Sequence, residues 1–329
     1  MPNTALITGA TGLLGRAVAK EFATRGWKAV GTGLSRASPP STVKLDLLNS
    51  EDIERVLDEI KPDVVVHCAA NRFPDSCNAD PAAAIALNAT ASHTLTSLAS
   101  RRSIFLLYIS TDYVFSGLPG EAPYLPSSTP APPNMYGQTK LEGEKAVLTA
   151  AADSGNRGTG LPLAAVLRVP ILYGSCSNPA ESAINVLVQQ IQKAVALKAD
   201  EPRIQMDDYA QRFPTNIADV ARVCFDICAL YRGLISPAAG FGSSRLPGIL
   251  HFSSEDKMTK YDICEILAEV LGVTLDGMEK FKPPEDEGEG KVKRPYDCHL
   301  DTKETRELGI DLQTVDFKGW WRQELASKQ

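Results

Sequence analysis

Tyr136 and Lys140 stand four residues apart in "MYGQTKLEGEKAVL" (135–148), a stretch that reads as a long amphipathic helix, so both side chains fall on one helical face. A free phenol, with a pKa of ~10, is a weak acid–base group at neutral pH, and a nearby ammonium favours its phenolate. The pair therefore has the makings of a proton-transfer device. Upstream, "IFLLYIS" runs into "STDYVFSG", which puts Thr111, or its neighbour Ser110, where a hydroxyl would hold the oxygen that exchanges that proton. Y-x-x-x-K alone is common on surface helices, and its place in the chain order gives it weight.

The second group of chemistry-bearing residues lies at the start of the chain. "ALITGATGLLGRAV" carries Gly9, Gly12 and Gly15 between an apolar run and a helical pattern. A phosphate-binding turn needs glycine where the chain bends, where a pyrophosphate approaches the backbone and where helix packs close to strand; the helix N-terminus then faces the anion. Thr11, Gly12, Leu13 and Leu14 are expected to supply amide donors. At the end of the second apolar run, "VGTGLSRASPP" has no acidic residue to hold a ribose hydroxyl. Leu34, Ser35 and Arg36 stand there instead, with Arg16 just past the glycine turn. Two guanidiniums suit a 2′-phosphate, which favours NADP over NAD; two ordinary surface arginines are the alternative. Asp46 and Leu47 in "KLDLL" are placed to edge an adenine. In "VHCAANR", Cys68, Ala69 and Ala70 are small enough to lie close to a dinucleotide, and Arg72 could reach its phosphates. Hydride would then cross from a nicotinamide while Tyr136 moves the proton, and lysine could also bond the nicotinamide ribose.

These groups need a frame. "TALIT" (4–8), "KAVGT" (28–32), "DVVVH" (63–67), "IFLLYIS" (104–110) and "LAAVLRV" (163–169) are short, apolar and non-alternating, as buried parallel strands are. Helices are expected between them: over 13–25 up to Gly26, from an N-cap at Ser50, and from Asp80 with Pro81 at its first position. The fold class is α/β, a Rossmann-type doubly wound parallel sheet. Residues 1–170 would form the NADP-binding domain, and 171–329 a smaller C-terminal α/β lobe interleaved with it. In that lobe "SAINVLVQQIQKAVAL", "NIADVARVCFDICALY" and "MTKYDICEILAEVLG" (capped by Thr259) read as helices and "GILHFS" as a strand, the remainder being irregular. Stretches 236–248 and 283–291 read as mobile surface loops.

The 329 residues are 43% apolar, enough for a buried core, and the net charge of −6 comes from scattered groups. Nucleic acid is a poor partner for such a surface. No apolar run approaches the ~18 to 20 residues of a membrane span, and no basic leader precedes the first strand, so a cytoplasmic protein is expected. The seven cysteines form no C-x-x-C and should be reduced. Cys224 and Cys228 share one helix face without a His or a second Cys pair, which argues for packing and against a metal.

With the glycine turn, the hydroxyl after a buried strand and Y-x-x-x-K in chain order, the sequence resembles the extended short-chain dehydrogenase/reductase family over essentially its whole length. That resemblance implies Thr111, Tyr136 and Lys140 as a catalytic triad. It also implies that in "RVPILYG" Pro170 to Leu172 face the nicotinamide. Two branches compete. "STDYVFSG", "YGQTKLEGE" and "RFPT" resemble the dTDP-4-dehydrorhamnose reductases, which reduce a sugar-nucleotide ketone with NADPH. "TGATGLLGRAVAKEF", "VVHCAA", "YGQTKLEGEKAVL", "LRVPILYG", "QRFPTNIADVA", "MTKYDI" and "WWRQ" resemble more closely the regulatory β subunits of methionine adenosyltransferase. Those relatives are non-enzymatic, bind NADP and associate with the catalytic subunit that makes S-adenosylmethionine.

The second branch implies a non-catalytic NADP-binding regulator with a vestigial triad, the reductase being the alternative. Reductases of this type usually have an Asp-Gln pair and a glycine before the Pro-Thr of "DDYAQRFPT". Here Gln211, Arg212 and Phe213 fill that approach, unless the loop takes another path. In "DFKGWWRQELASKQ", Trp320, Trp321 and Arg322 are the expected anchor for the catalytic subunit, with docking on the chain's own core as the alternative.

Overall fold

The apolar runs pair side by side into one parallel sheet. In the computed structural model, which describes residues 2–38, 41–154, 161–235, 246–284 and 292–327, the strands in chain order are β1 (Thr4–Thr8), β2 (Lys28–Gly33), β3 (Thr42–Lys44), β4 (Val64–His67), β5 (Phe105–Thr111) and β6 (Ala164–Val169). Then come the short β7 (Leu172–Tyr173), β8 (Ile204–Asp207), β9 (Thr215–Asn216), β10 (Ile249–His251) and β11 (Met278–Phe281). The main sheet has the order β10-β6-β5-β4-β1-β2-β3, and every pairing in it is parallel. Parallel neighbours require crossovers, and the helices supply them.

Those helices are α1 (Leu13–Thr24), α2 (Ser50–Ile60), α3 (Pro74–Ala79), α4 (Pro81–Ile85), α5 (Ala91–Arg101) and α6 (Met135–Asp153), followed by α7 (Val186–Ala196), α8 (Ile217–Tyr231), α9 (Lys260–Leu271), α10 (Lys303–Glu307) and α11 (Phe317–Ala326). Alternate strand residues face opposite ways, so the sheet is buried twice. Ile7, Val66 and Leu107 pack with Val18 and Phe22 of α1 and with Val220 and Cys224 of α8. Leu6, Val65 and Leu106 pack with Ile53 of α2, Leu95 of α5 and Val147 of α6. Cys224 and Cys228 are fully buried in the first of these clusters, and none of the seven cysteines forms a disulfide among the described residues. α8 and β10, from beyond residue 170, thus complete the first layer.

Several boundaries differ from expectation for local reasons. Asn49, not Ser50, caps α2, its side chain accepting from the amides of Glu51 and Asp52. Asp80 does cap α4, but the helix passes through a π turn at Ala86–Thr90 before α5. α7 begins at Val186, later than the apolar pattern suggested, because Ser182 and Asn185 are spent on bonds to the β7 loop. Thr259 caps α9 in a reciprocal capping box with Asp262. The segments left as irregular contain a parallel pair, β8 with β11, and a C-terminal helix. The stretches 236–245 and 285–291, within the two segments expected as surface loops, lie outside the described residues.

The C-terminal helix corrects one expectation. Trp321 is only 2% exposed, stacks on Tyr173 of β7 and joins Phe317, Met258 and Leu267 in the core of the smaller lobe. Aromatic surface is available inside the chain, so this tryptophan docks at home. Trp320 is half-buried edge-on to Tyr173, while Arg322 is exposed beside Glu269. Among the described residues no helix is long and apolar enough to cross a membrane, and no His/Cys/Asp/Glu cluster could hold a metal ion.

Candidate functional site

The β1–α1 turn is shaped by close backbone approach. Gly9 has φ +65°, and a Cβ there would lie 2.8 Å from the Ala69 amide nitrogen at the end of β4. Only glycine meets both demands. Gly12 heads α1 without a side-chain cap, leaving the first amides of the helix free to face an anion. Beneath the turn, Thr8 Oγ1 lies 2.6 Å from His67 Nδ1 and accepts from the Ala69 amide at 3.3 Å, while His67 Nε2 lies 3.0 Å from Ser92 Oγ. Burial, with Lys140 adding to it, holds His67 down at about 3, so it serves this network as a neutral imidazole.

Around that turn the arginines converge on one acid. Arg16 forks onto Glu181 at 2.5 Å and 3.2 Å and also donates to the Thr11 carbonyl at 2.7 Å. Arg36 donates to the same carboxylate at 3.0 Å, and Arg72 to the Glu181 carbonyl at 2.7 Å. Leu34 and Ser35 are exposed at the end of β2. Leu13 and Leu14 are buried beneath the turn, with Gly15 packed against Gly9. Asp46 is half-buried and accepts from the Leu48 amide at 2.9 Å, whereas Leu47 belongs to the core under α2. Cys68, Ala69 and Ala70 are half-buried after β4, and burial pushes the Cys68 thiol up to about 12. Pro170 is buried, and Leu172 half-buried, on the far side.

At the other end, β5 delivers Thr111 and α6 delivers Tyr136. The first turn of α6 can reach β5 because residue 137 is glycine, where a Cβ would sit 2.1 Å from the Tyr113 carbonyl oxygen. Asn134 caps that turn through the Gly137 amide at 3.0 Å. Thr111 donates to Asp112 at 2.9 Å and hydrogen-bonds Tyr136. Ser110 is committed elsewhere, donating to Glu144 at 2.5 Å. Of the two hydroxyls, Thr111 is the one in contact with Tyr136.

Lys140 shares the helix face of Tyr136 but uses its ammonium differently. Nζ donates to the Ile109 carbonyl at 2.8 Å and lies 3.9 Å from the centre of the Tyr108 ring. Burial lowers Lys140 to about 7 against the raising effect of Glu144. Burial pushes the Tyr136 phenol upward despite the Thr111 hydrogen bond, and Asp112, Cys77 and Tyr113 push the same way. Asp112, also buried, is pushed up to about 7 against Thr111 and Arg212. Burial thus shifts all three groups toward their neutral forms, and Lys140 and Asp112 come to about 7.

Three further parts of the site carry no sequence signature. Asn88, in the π turn, accepts from the Asn71 amide at 2.8 Å and donates to Thr139 Oγ1 at 3.0 Å, joining the loop after β4 to α6. Glu144 and Arg168 form a buried two-point pair at 2.9 Å and 2.7 Å, locking α6 to β6. Glu181 follows Asn178–Pro179, a legible turn signal, but nothing local announces that its carboxylate meets Arg16. In "QRFPT", Phe213 is buried and stacks on His299 at 4.2 Å. Arg212 is buried and acts electrostatically on Asp112. Its Nη1 is held by the Gln211 and Pro295 carbonyls, and its Nη2 has no hydrogen-bond partner among the described residues.

Comparison with known proteins matches residues 3–326 to the RmlD substrate binding domain. Methionine adenosyltransferase 2 subunit beta of Xenopus tropicalis is 40% identical over 94% of this chain and 84% of its own length. Among solved structures, dTDP-4-dehydrorhamnose reductase of Bacillus anthracis in complex with NADP superposes with a TM-score of 0.75 at 21% identity, covering 99% of both chains. UDP-glucose 4-epimerase of Thermus thermophilus, complexed with NAD, gives 0.75 at 18% identity and 98% of both chains.

Proposed function

The chain belongs to the RmlD substrate binding domain family, and from that premise we propose that it is a non-catalytic, NADP-binding regulatory subunit of a methionine adenosyltransferase. The observation that carries the non-catalytic part is the disposition of Lys140. Its ammonium donates to the Ile109 carbonyl and lies over the Tyr108 ring, partners other than the Tyr136 phenol. The near full-length likeness to a chain named as a β subunit supports the assignment of the partner.

The residues present fit a dinucleotide. The Gly9 approach to Ala69 leaves backbone where a pyrophosphate would lie, and the uncapped start of α1 offers amide donors. Arg16 and Arg36 would hold a 2′-phosphate and Arg72 a pyrophosphate oxygen, which favours NADP. Asp46 and Leu47 would border the adenine. Lys140, Tyr136, Cys68 to Ala70, Pro170 and Leu172 would line the nicotinamide end. When bound, NADP supplies hydride chemistry; here Thr111 and Tyr136 would orient the nicotinamide side, and Asp112 would hold its proton near neutral pH. For the catalytic subunit, the exposed Arg322 and the half-buried Trp320 are the part of the tail left to touch a partner.

A second reading, reduction of a sugar-nucleotide ketone, is favoured by the unpartnered Nη2 of buried Arg212, a donor suited to an anionic substrate group. Two assays separate them. Co-purification with a methionine adenosyltransferase catalytic subunit, weakened in Arg322→Glu and in Trp320→Ala, is the expected result. Fast oxidation of NADPH by a dTDP-4-keto sugar, abolished in Tyr136→Phe, would overturn it.

A further inference from the structure

β2 ends without the acidic residue that would accept from an adenosine ribose, yet the fold brings one to the same place. Glu181 arrives from a 3-10 turn at Pro179–Glu181, whose start is capped by Asn178. Its carboxylate takes a two-point fork from Arg16 and a third bond from Arg36, 145 positions away in sequence. Its side chain is 11% exposed, against 36% for Arg16 and 60% for Arg36, so the acid is the covered member and the arginines reach outward. Those bonds hold its carboxyl below the usual range, and it is an anion at neutral pH.

We propose that Glu181 sets the choice between two dinucleotides, an inference that rests on the nicotinamide-dinucleotide reading above. Seated on Arg16 and Arg36, the carboxylate occupies the guanidinium donors that a 2′-phosphate requires, and its remaining lone pairs can accept from ribose hydroxyls. NAD is compatible with that state. NADP enters by exchange, its phosphate taking the two guanidiniums and the carboxylate leaving, since two anions on one fork repel. The backbone of the turn need not follow. Ser182 Oγ donates to the Leu172 carbonyl at 2.7 Å and Asn185 Nδ2 to the Gly174 carbonyl at 2.8 Å, so the turn stays anchored while the side chain swings. Losing the internal competitor should therefore help NADP and not NAD.

Calorimetric titration of the full chain with NADP, NAD and 2′,5′-ADP tests this in wild type and Glu181→Gln. NADP and 2′,5′-ADP should bind about tenfold more tightly to the variant, while NAD binds equally or more weakly. Glu181→Asp, which keeps the charge but shortens its reach, should shift the NADP-to-NAD ratio the same way by less. Arg36→Gln should shift it toward NAD. A ratio unmoved in Glu181→Gln, or weaker NADP binding there, overturns the role of Glu181 while leaving the dinucleotide site standing. Wild-type protein that binds neither dinucleotide overturns the site and this proposal together.

Discussion

At the nucleotide end two arginines meet the Glu181 carboxylate and a third its main-chain carbonyl, and the α1 amides lie open beside them. At the reaction end Tyr136, Lys140 and Asp112 lie under protein that pushes each toward its neutral form. The two ends lie beyond the C-terminal ends of interior strands of one sheet, β1 and β5, so the contrast comes from side chains and solvent access, not from architecture. Charge kept in reach of water can recognise an anion. Burial instead brings Lys140 and Asp112 to about 7, close to neutral pH. The same scaffold thus presents charge to solvent at one end and covers it at the other.

Substitutions can break this contrast. The largest effect is expected from Arg168→Met, which leaves Glu144 buried without its partner beneath α6; a loss of about 3–5 kcal/mol should appear in urea unfolding. Gly9→Val should weaken dinucleotide binding at least about 100-fold by titration, because a β-branched residue at φ +65° is strained and its Cβ meets Ala69. Asp112→Asn sharpens the other side. A carboxyl raised to about 7 from 3.8 stabilises the fold fully below pH 3.8, and that contribution is lost as pH rises through 7. Relative to wild type the variant should thus gain stability between pH 5 and 7.5, by roughly 2 kcal/mol, in parallel thermal or urea unfolding. Smallest is Tyr136→Phe, which should change NADP affinity by less than about threefold if the phenol only lines the site.

Much of the frame was legible because buried parallel strands need uninterrupted apolar runs, as "DVVVH" and "IFLLYIS" have. The glycine turn was equally plain, since its residue type answers to backbone geometry at Gly9. The pair β8 with β11 was not, because each strand is short and largely open to solvent, and no alternation develops over "IQMD" or "MEKF". The spacing of Tyr136 and Lys140 was readable, but the direction of the ammonium depends on the Ile109 carbonyl and the Tyr108 ring, which belong to another element. Trp321 shows the same limit. A tryptophan near a chain end fits an internal or an external pocket, and only the placement of Tyr173 decides. Glu181 lay hidden for the plainest reason: its three arginines come from the first turn of α1 and the loops after β2 and β4, far away in sequence.

The central claim, a binding subunit in place of an enzyme, meets its most direct test in sedimentation velocity of the full chain mixed with a purified methionine adenosyltransferase catalytic subunit in the presence of NADP. A single faster boundary at micromolar concentration, absent from either component alone, is the expected result. Two boundaries that sediment independently would contradict it.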